Sequence, residues 1–270
     1  MQTANRAWRD TVADVLKHGQ AVAPQKSTGA GGRYSFELIA HTMSFDMKYP
    51  IVTIKPNTSW LYMVSEPLWV IAGSNRLDWS AEIEKIQAPY SDDGYRLAGA
   101  YGMPFKQQLT YVANKLNEDT NSRQAVMTIW RRNPPLSKDI PCTTSLQFLV
   151  RGGYIHCIVT MRSSDVGMGL PYDMLTFTCM AAEVASKLKE PVELGSCIVV
   201  AGSRHVYKDQ MDKLNFIVKN DFPADNEYLP WSMWKWPAIK ETMYKIAFTF
   251  YEDRSLYQPI AKDRLLGASG

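Results

Sequence analysis

Apolar positions recur at helical spacing near the start of the chain, where Trp8, Val12, Val15 and Leu16 share one side of a helix over residues 5–18. The run Lys26-Ser-Thr-Gly-Ala-Gly-Gly-Arg33 that follows is polar and glycine-rich and reads as a loop. Phe45-Asp46-Met47 and residues 50–54 predict two short strands. Residues 60–71, WLYMVSEPLWVI, are almost wholly apolar and predict a buried helix that one acid, Glu66, interrupts. Residues 73–95 are polar and read as turns. Phe105, Leu109, Val112 and Leu116 mark an amphipathic helix over residues 104–116, and residues 125–130 read as a strand ended by Arg131, Arg132 and the Pro134-Pro135 turn.

The stretch from Pro141 to Asp173 predicts a β-hairpin with Cys142 at its entry and Arg162-Ser-Ser-Asp165 at its exit. The Gly-Leu-Pro-Tyr-Asp173 turn then feeds a helix over residues 174–188. A short strand over 196–201 leads into Gly202-Ser-Arg-His-Val-Tyr207, and residues 211–218 predict a further helix. In the tail from Tyr228, Trp231, Trp234 and Trp236 are expected to cover the core. Helices and strands alternate without a strict strand–helix–strand period. The expected fold class is α/β or α+β, a mixed sheet flanked by helices, in one domain spanning residues 1–270.

Composition narrows the function. The 270 residues, 46% hydrophobic, suffice for one large core. A net charge of +3 with scattered basic residues is too small for a nucleic-acid coat, so no nucleic acid is required and any anion is held by a local pocket. Cys142, Cys157, Cys179 and Cys197 show no CxxC spacing and have few histidines near them, which argues against a metal site or a disulfide framework. The first residues lack the apolar core of a signal peptide, and no apolar run reaches the length of a membrane span, about 18 residues. The expected place is the cytoplasm, with reduced thiols and no membrane.

Of the four cysteines, Cys142 differs by position. It follows a proline at an element boundary with arginines close in sequence, which would favour a thiolate nucleophile. Cys157, Cys179 and Cys197 read as small buried hydrophobes. A carboxylate inside the apolar helix, Glu66, is costly to bury without a role. The Lys26–Arg33 loop lacks the Gly-Lys-Ser/Thr of a Walker loop, yet could wrap amides around a phosphate. His205 and Tyr207, two residues apart, fall on one face of a strand and suit a sugar hydroxyl. Together these residues predict attack on the base of a small anionic nucleotide.

In this setting the sequence resembles the thymidylate synthase family over most of its length. Glu66-Pro-Leu-Trp69 with Gly73-Ser-Asn75 is similar to the family's Glu-Leu-Leu-Trp and Gly-Asp-Thr-Asn, and Tyr101-Gly102 to its Val-Tyr-Gly. Ser122-Arg123 resembles Ser-Arg-Arg, Pro141-Cys142 the nucleophile motif and Arg162-Ser-Ser-Asp165 the Arg-Ser-X-Asp element. Gly169–Asp173 resembles Gly-Leu-Pro-Phe-Asn, and Gly202–Tyr207 the Gly-Asp-X-His-X-Tyr motif. The resemblance implies Cys142, Glu66, Tyr101 and Asp173 as catalytic residues. Arg162, Ser163, His205 and Tyr207 would hold the nucleotide, and Arg123 would cross to the neighbouring site of a homodimer whose interface is the sheet. Gln124 stands where the family has a second arginine, and Lys26 or Arg33 would compensate. The implied co-substrate is 5,10-methylenetetrahydrofolate, with Asp165 at its pterin, Glu66 beside it and Tyr90 in the neighbourhood of the family's tandem tryptophans.

Three departures point to a branch. Asp173 replaces the asparagine that reads uracil, Thr143 replaces a histidine and Met161 a glutamine. The pattern is similar to the phage deoxycytidylate hydroxymethylases and related cytidylate hydroxymethylases. An aspartate accepts from the cytosine amino group and, when protonated, donates to N3. The C-terminal Leu-Leu-Gly-Ala-Ser-Gly does not match the synthase closing tail. The expected partners are a pyrimidine nucleoside monophosphate, dCMP or CMP, and a reduced folate. The alternatives are a methyltransferase on the same nucleotides, a synthase acting on dUMP, and a relative that only binds nucleotide or RNA. A DNA cytosine methyltransferase would need an early strand–glycine-loop unit, and the Lys26–Arg33 loop follows no convincing strand.

Overall fold

Short hydroxyl residues start the first three helices. Thr3 accepts from the Arg6 amide at the head of α1 (Ala4–His18), Ser59 from Tyr62 at α2 (Trp60–Ile71), and Ser80 from Ile83 at α3 (Ala81–Gln87). The structure is a computed structural model and describes residues 1–23, 34–220 and 230–249. The Lys26–Arg33 loop and the Leu-Leu-Gly-Ala-Ser-Gly terminus lie outside the described residues.

Six strands form one sheet in the order β1-β2-β6-β5-β4-β3. They are β1 (Gln20–Val22), β2 (Ser35–Asp46), β3 (Val126–Thr128), β4 (Thr143–Arg151), β5 (Tyr154–Asp165) and β6 (Glu193–Tyr207). β5 and β6 run parallel and every other neighbouring pair antiparallel, so the sheet is mixed, as expected. A parallel pair needs a long crossover, and α4 (Gly102–Glu118) is followed in the chain by the one that serves here, α5 (Leu170–Ala185). On one face Met43, Phe45, Leu146, Phe148, Cys157, Val159, Cys197 and Val199 are buried beneath α1, α4 and α5. On the other face Leu149, Ile158, Ile198 and Val200 are only half covered. The alternation places a core on one side and leaves on the other an apolar face that no helix among the described residues covers.

Four expectations need correction. Residues 50–54 form no strand, because the Asn5 side chain accepts from the Thr53 amide (2.7 Å) and donates to its hydroxyl (2.8 Å) where a strand neighbour would pair. Residues 73–95 hold α3, too short and too charged to show a period, with Ile83 alone buried. The helix after the hairpin starts at Leu170 with Pro171 in its first turn, so Asp173 sits inside α5 rather than in the turn before it. In the tail, beyond α6 (Met211–Lys219), a further helix, α7 (Trp236–Thr249), buries Trp236, whereas Trp234 is 75% exposed rather than packed on the core of the described residues.

Gly102 shows how closely α4 packs at its first residue. A Cβ there would lie 2.3 Å from the Ser74 carbonyl oxygen, so the Tyr101-Gly102 pair can approach the loop after α2 only as glycine. No helix among the described residues is long and apolar enough to cross a membrane.

Candidate active site

The hairpin brings the two halves of the chemistry together. Thr143 pairs with Met161, and the Arg162 amide donates to the Cys142 carbonyl (2.8 Å), so residues twenty apart in sequence lie side by side. Arg162 turns back over the entry to β4, donating from Nε to Pro141 O (2.9 Å) and from Nη2 to Ile140 O (2.8 Å). The same Nη2 stands 3.8 Å from Cys142 Sγ. Burial drives the Cys142 thiol up to about 11, against the pull of Arg162, while Asp173, Asp139 and Asp165 push it further up. The arginine therefore favours the thiolate, as expected, yet burial wins and the resting group is a protonated thiol. Cys157, Cys179 and Cys197 are fully buried, in line with their expected role in the core.

Of the two acids on the helices, Asp173 acts on this thiol directly and Glu66 neighbours Asp173. Asp173 lies in the first turn of α5, and burial, then the neighbouring Glu66 charge, raise it well above the usual carboxylate range. Arg204, on β6, opposes that rise. Glu66 on α2 accepts from Tyr62 Oη (2.6 Å) and from Thr176 Oγ1 of α5 (3.2 Å). Burial raises its carboxyl, and the two hydrogen bonds only partly offset it. Tyr101 Oη accepts from the Thr143 amide (3.2 Å), and burial beside Asp173 and Cys142 lifts its hydroxyl well above the usual tyrosine range.

The parallel pairing of β5 with β6 sets Ser163 beside Ser203, Ser164 beside Arg204 and Asp165 beside His205. The His205 and Tyr207 rings meet edge to face, 5.1 Å between centroids, and His205 Nδ1 is buried without a hydrogen-bond partner among the described residues. Asp165 Oδ1 accepts from the Gly167 (2.9 Å) and Met168 (3.1 Å) amides, which fixes the carboxylate after the strand. Lys55 stands over the Tyr172 ring at 5.2 Å, and burial lowers its ammonium while Asp165 raises it. A rigid acid, a lysine and an aromatic ring fit a reduced folate, whose pterin offers N–H donors and whose glutamate carries negative charge.

Some expected residues stand apart. Arg123 is exposed in the loop before the edge strand β3, with its carbonyl held by Gln147 well along β4 from Cys142. Tyr90 ends the turn after α3 and is 42% exposed. Sequence reading passed over Tyr62, Gln87, Thr176, Asp139 and Arg204. Tyr62 is four residues before Glu66 and Thr176 three after Asp173, a helical spacing that could have flagged both. Arg204 carries no such signal. It is fully buried, donating to Ser164 Oγ (2.7 Å) and Val199 O (3.1 Å). Thr143 and Met161, both departures from the family pattern, face each other across β4 and β5, and the Thr143 side chain is buried beside the Tyr101 hydroxyl.

The Cys142 thiol, the Arg162 guanidinium beside it and two acids of raised proton affinity, Glu66 on α2 and Asp173 on α5, lie on helices and a hairpin of one mixed sheet. The family model described as thymidylate synthase matches residues 6–230 of this chain. The protein belongs to the thymidylate synthase family, whose members use methylenetetrahydrofolate to transfer a one-carbon unit to a pyrimidine nucleotide.

Proposed function

We propose that this protein hydroxymethylates C5 of a cytidine nucleotide, dCMP or CMP. The observation that carries the reading is Asp173, an acid held in the first turn of α5 with its proton affinity raised well above the carboxylate range. Cytosine presents an amino donor at N4 and an acceptor at N3. A carboxyl group that accepts from one and shares a proton with the other complements that edge, whereas uracil presents the reverse at both positions.

Cys142 Sγ, once deprotonated, adds to C6. The C5–C6 π pair moves toward N3, which takes the proton from Asp173, and C5 becomes nucleophilic. Reduced folate supplies the one-carbon unit at formaldehyde oxidation level. Once C5 has bonded to that carbon and lost its proton, the bond from the carbon to the folate nitrogen breaks, tetrahydrofolate departs, and the nucleotide carries an exocyclic methylene. Water adds to that carbon while Glu66 takes a proton from it, and the electron pair again moves to N3. Return of the N3 proton to Asp173 drives the pair back, restores C5=C6 and expels Sγ from C6. Glu66 suits this proton transfer because its raised affinity lies nearer neutrality than an ordinary carboxylate. Arg162 with Ser163 would bind the phosphate and His205 with Tyr207 the sugar hydroxyl.

A homodimer is part of the reading. The apolar sheet face exposes Ile39 (78%) and leaves Ile158, Ile198 and Val200 half covered, and a second copy would bury them and lend Arg123 to the phosphate site.

Base choice tests the proposal. Asp173→Asn supplies one donor and one acceptor, the uracil complement, and the wrong edge leaves buried groups unpaired at about 1–3 kcal/mol each. The ratio of kcat/KM for dCMP over dUMP should fall by about tenfold or more. An unchanged ratio would show that Asp173 does not read the base.

A further inference from the structure

Behind Glu66 stands a chain of side chains to which no role has yet been given. Tyr62 lies one turn before Glu66 on α2, and the i, i+4 spacing sets its hydroxyl 2.6 Å from Glu66 Oε1. Gln87, the last residue of α3, places Nε2 2.5 Å from that same hydroxyl. The Tyr62 ring is 4% exposed and stands edge-on to Tyr172 at 5.0 Å, so it has no room to swing away. Two oxygens 2.6 Å apart share one hydrogen. Because the Gln87 amide donates into the phenol oxygen, the phenol hydrogen has one direction left, toward the carboxylate. Thr176 closes the other oxygen with a donor of its own. Each oxygen of Glu66 thus receives one donor from the protein, and both donors favour the carboxylate over the acid.

We infer that Tyr62 and Gln87 are positioning residues for the water step: they fix the rotamer of Glu66 and keep it a proton acceptor where water adds to the nucleotide's exocyclic methylene. The inference rests on the hydroxymethylase reading and deepens it. In the step concerned, one O–H bond of water breaks, its proton passes to Glu66 and its oxygen bonds to the methylene carbon. A methylene left waiting is an electrophile, and any small thiol in solution can take the place of water.

The test is turnover of dCMP with methylenetetrahydrofolate by the full chain in the presence of 2-mercaptoethanol, with nucleotide products identified by mass. Tyr62→Phe keeps the ring and removes the hydroxyl. We expect kcat to fall by about tenfold to a hundredfold, up to the lower edge of what a full proton-transfer contribution supplies, because Glu66 itself remains. KM for dCMP should move less than about threefold, and part of the product should appear as the thioether of the added thiol. Gln87→Glu keeps the shape but turns the donor into an acceptor that competes for the phenol hydrogen. It should give the same thioether, and Gln87→Leu a smaller amount. Wild-type kcat in Tyr62→Phe with no thioether overturns the inference, and so does a lower kcat without thioether in both Tyr62→Phe and Gln87→Glu. A wild-type enzyme that releases dihydrofolate and a methylated nucleotide overturns the hydroxymethylase reading itself and the inference with it.

Discussion

Cys142 is protonated at rest, and that fixes how it should respond to pH. Its thiol sits near 11, so through neutral and mildly alkaline pH the thiolate fraction grows about tenfold per unit. Alkylation of the free enzyme by iodoacetamide, followed by peptide mass mapping, should show Cys142 accelerating with that slope and no plateau at the usual thiol range. Arg162→Met should slow it further, because the guanidinium is the group that lowers the thiol. A plateau at ordinary thiol pH would contradict the account. Cys142→Ala should abolish turnover while nucleotide binding, measured by calorimetry, changes by less than about threefold. At this scale the sequence was informative where one residue type carries the chemistry. A cysteine after a proline, an acid in an apolar helix and an arginine at a strand end each stand out. Gln87 and Arg204 did not, because a glutamine or an arginine in a polar stretch becomes notable only when packing buries it, and Tyr62 carried only its helical spacing from Glu66 as a signal.

The elements matter because they carry those residues to one place. The hairpin of β4 and β5 sets Arg162 beside Cys142, and the crossover through α5 delivers Asp173 from the same side. Gly152 (φ 57°) and Gly153 (φ 78°) close the hairpin at its far end from Cys142, both in left-handed conformations. Gly153→Val should cost about 1–2 kcal/mol in denaturant unfolding and leave kcat near the wild-type value. A large loss of kcat at unchanged stability would show that the turn takes part in the site. The hairpin and the helices α1, α2, α4 and α6 were legible because their apolar periods run for two turns or more, or alternate over many residues. α3 was hidden by its shortness, α7 by a tail whose tryptophans looked alike, and the full reach of β6 by its polar second half. Residues 50–54 were misread because β-branched residues also serve where a side chain, here Asn5, supplies the hydrogen bonds.

For the whole molecule, the apolar sheet face and the remote position of Arg123 make one prediction. Arg123→Ala and Cys142→Ala chains should each be inactive or nearly so, yet equal mixing should restore about a quarter of wild-type activity. Half of the dimers are then hybrids, each with one intact site. No recovery, or a fully active monomer in sedimentation, would rule out the shared site. The central claim is the chemistry on the nucleotide, and one measurement addresses it most directly. Wild-type enzyme is incubated with methylenetetrahydrofolate and, separately, dCMP, CMP and dUMP, and the nucleotide and folate products are identified by mass. The account predicts 5-hydroxymethyl cytidylate together with tetrahydrofolate, and little or no product from dUMP. Thymidylate with dihydrofolate from dUMP, or a methylated cytidylate with dihydrofolate, would contradict it.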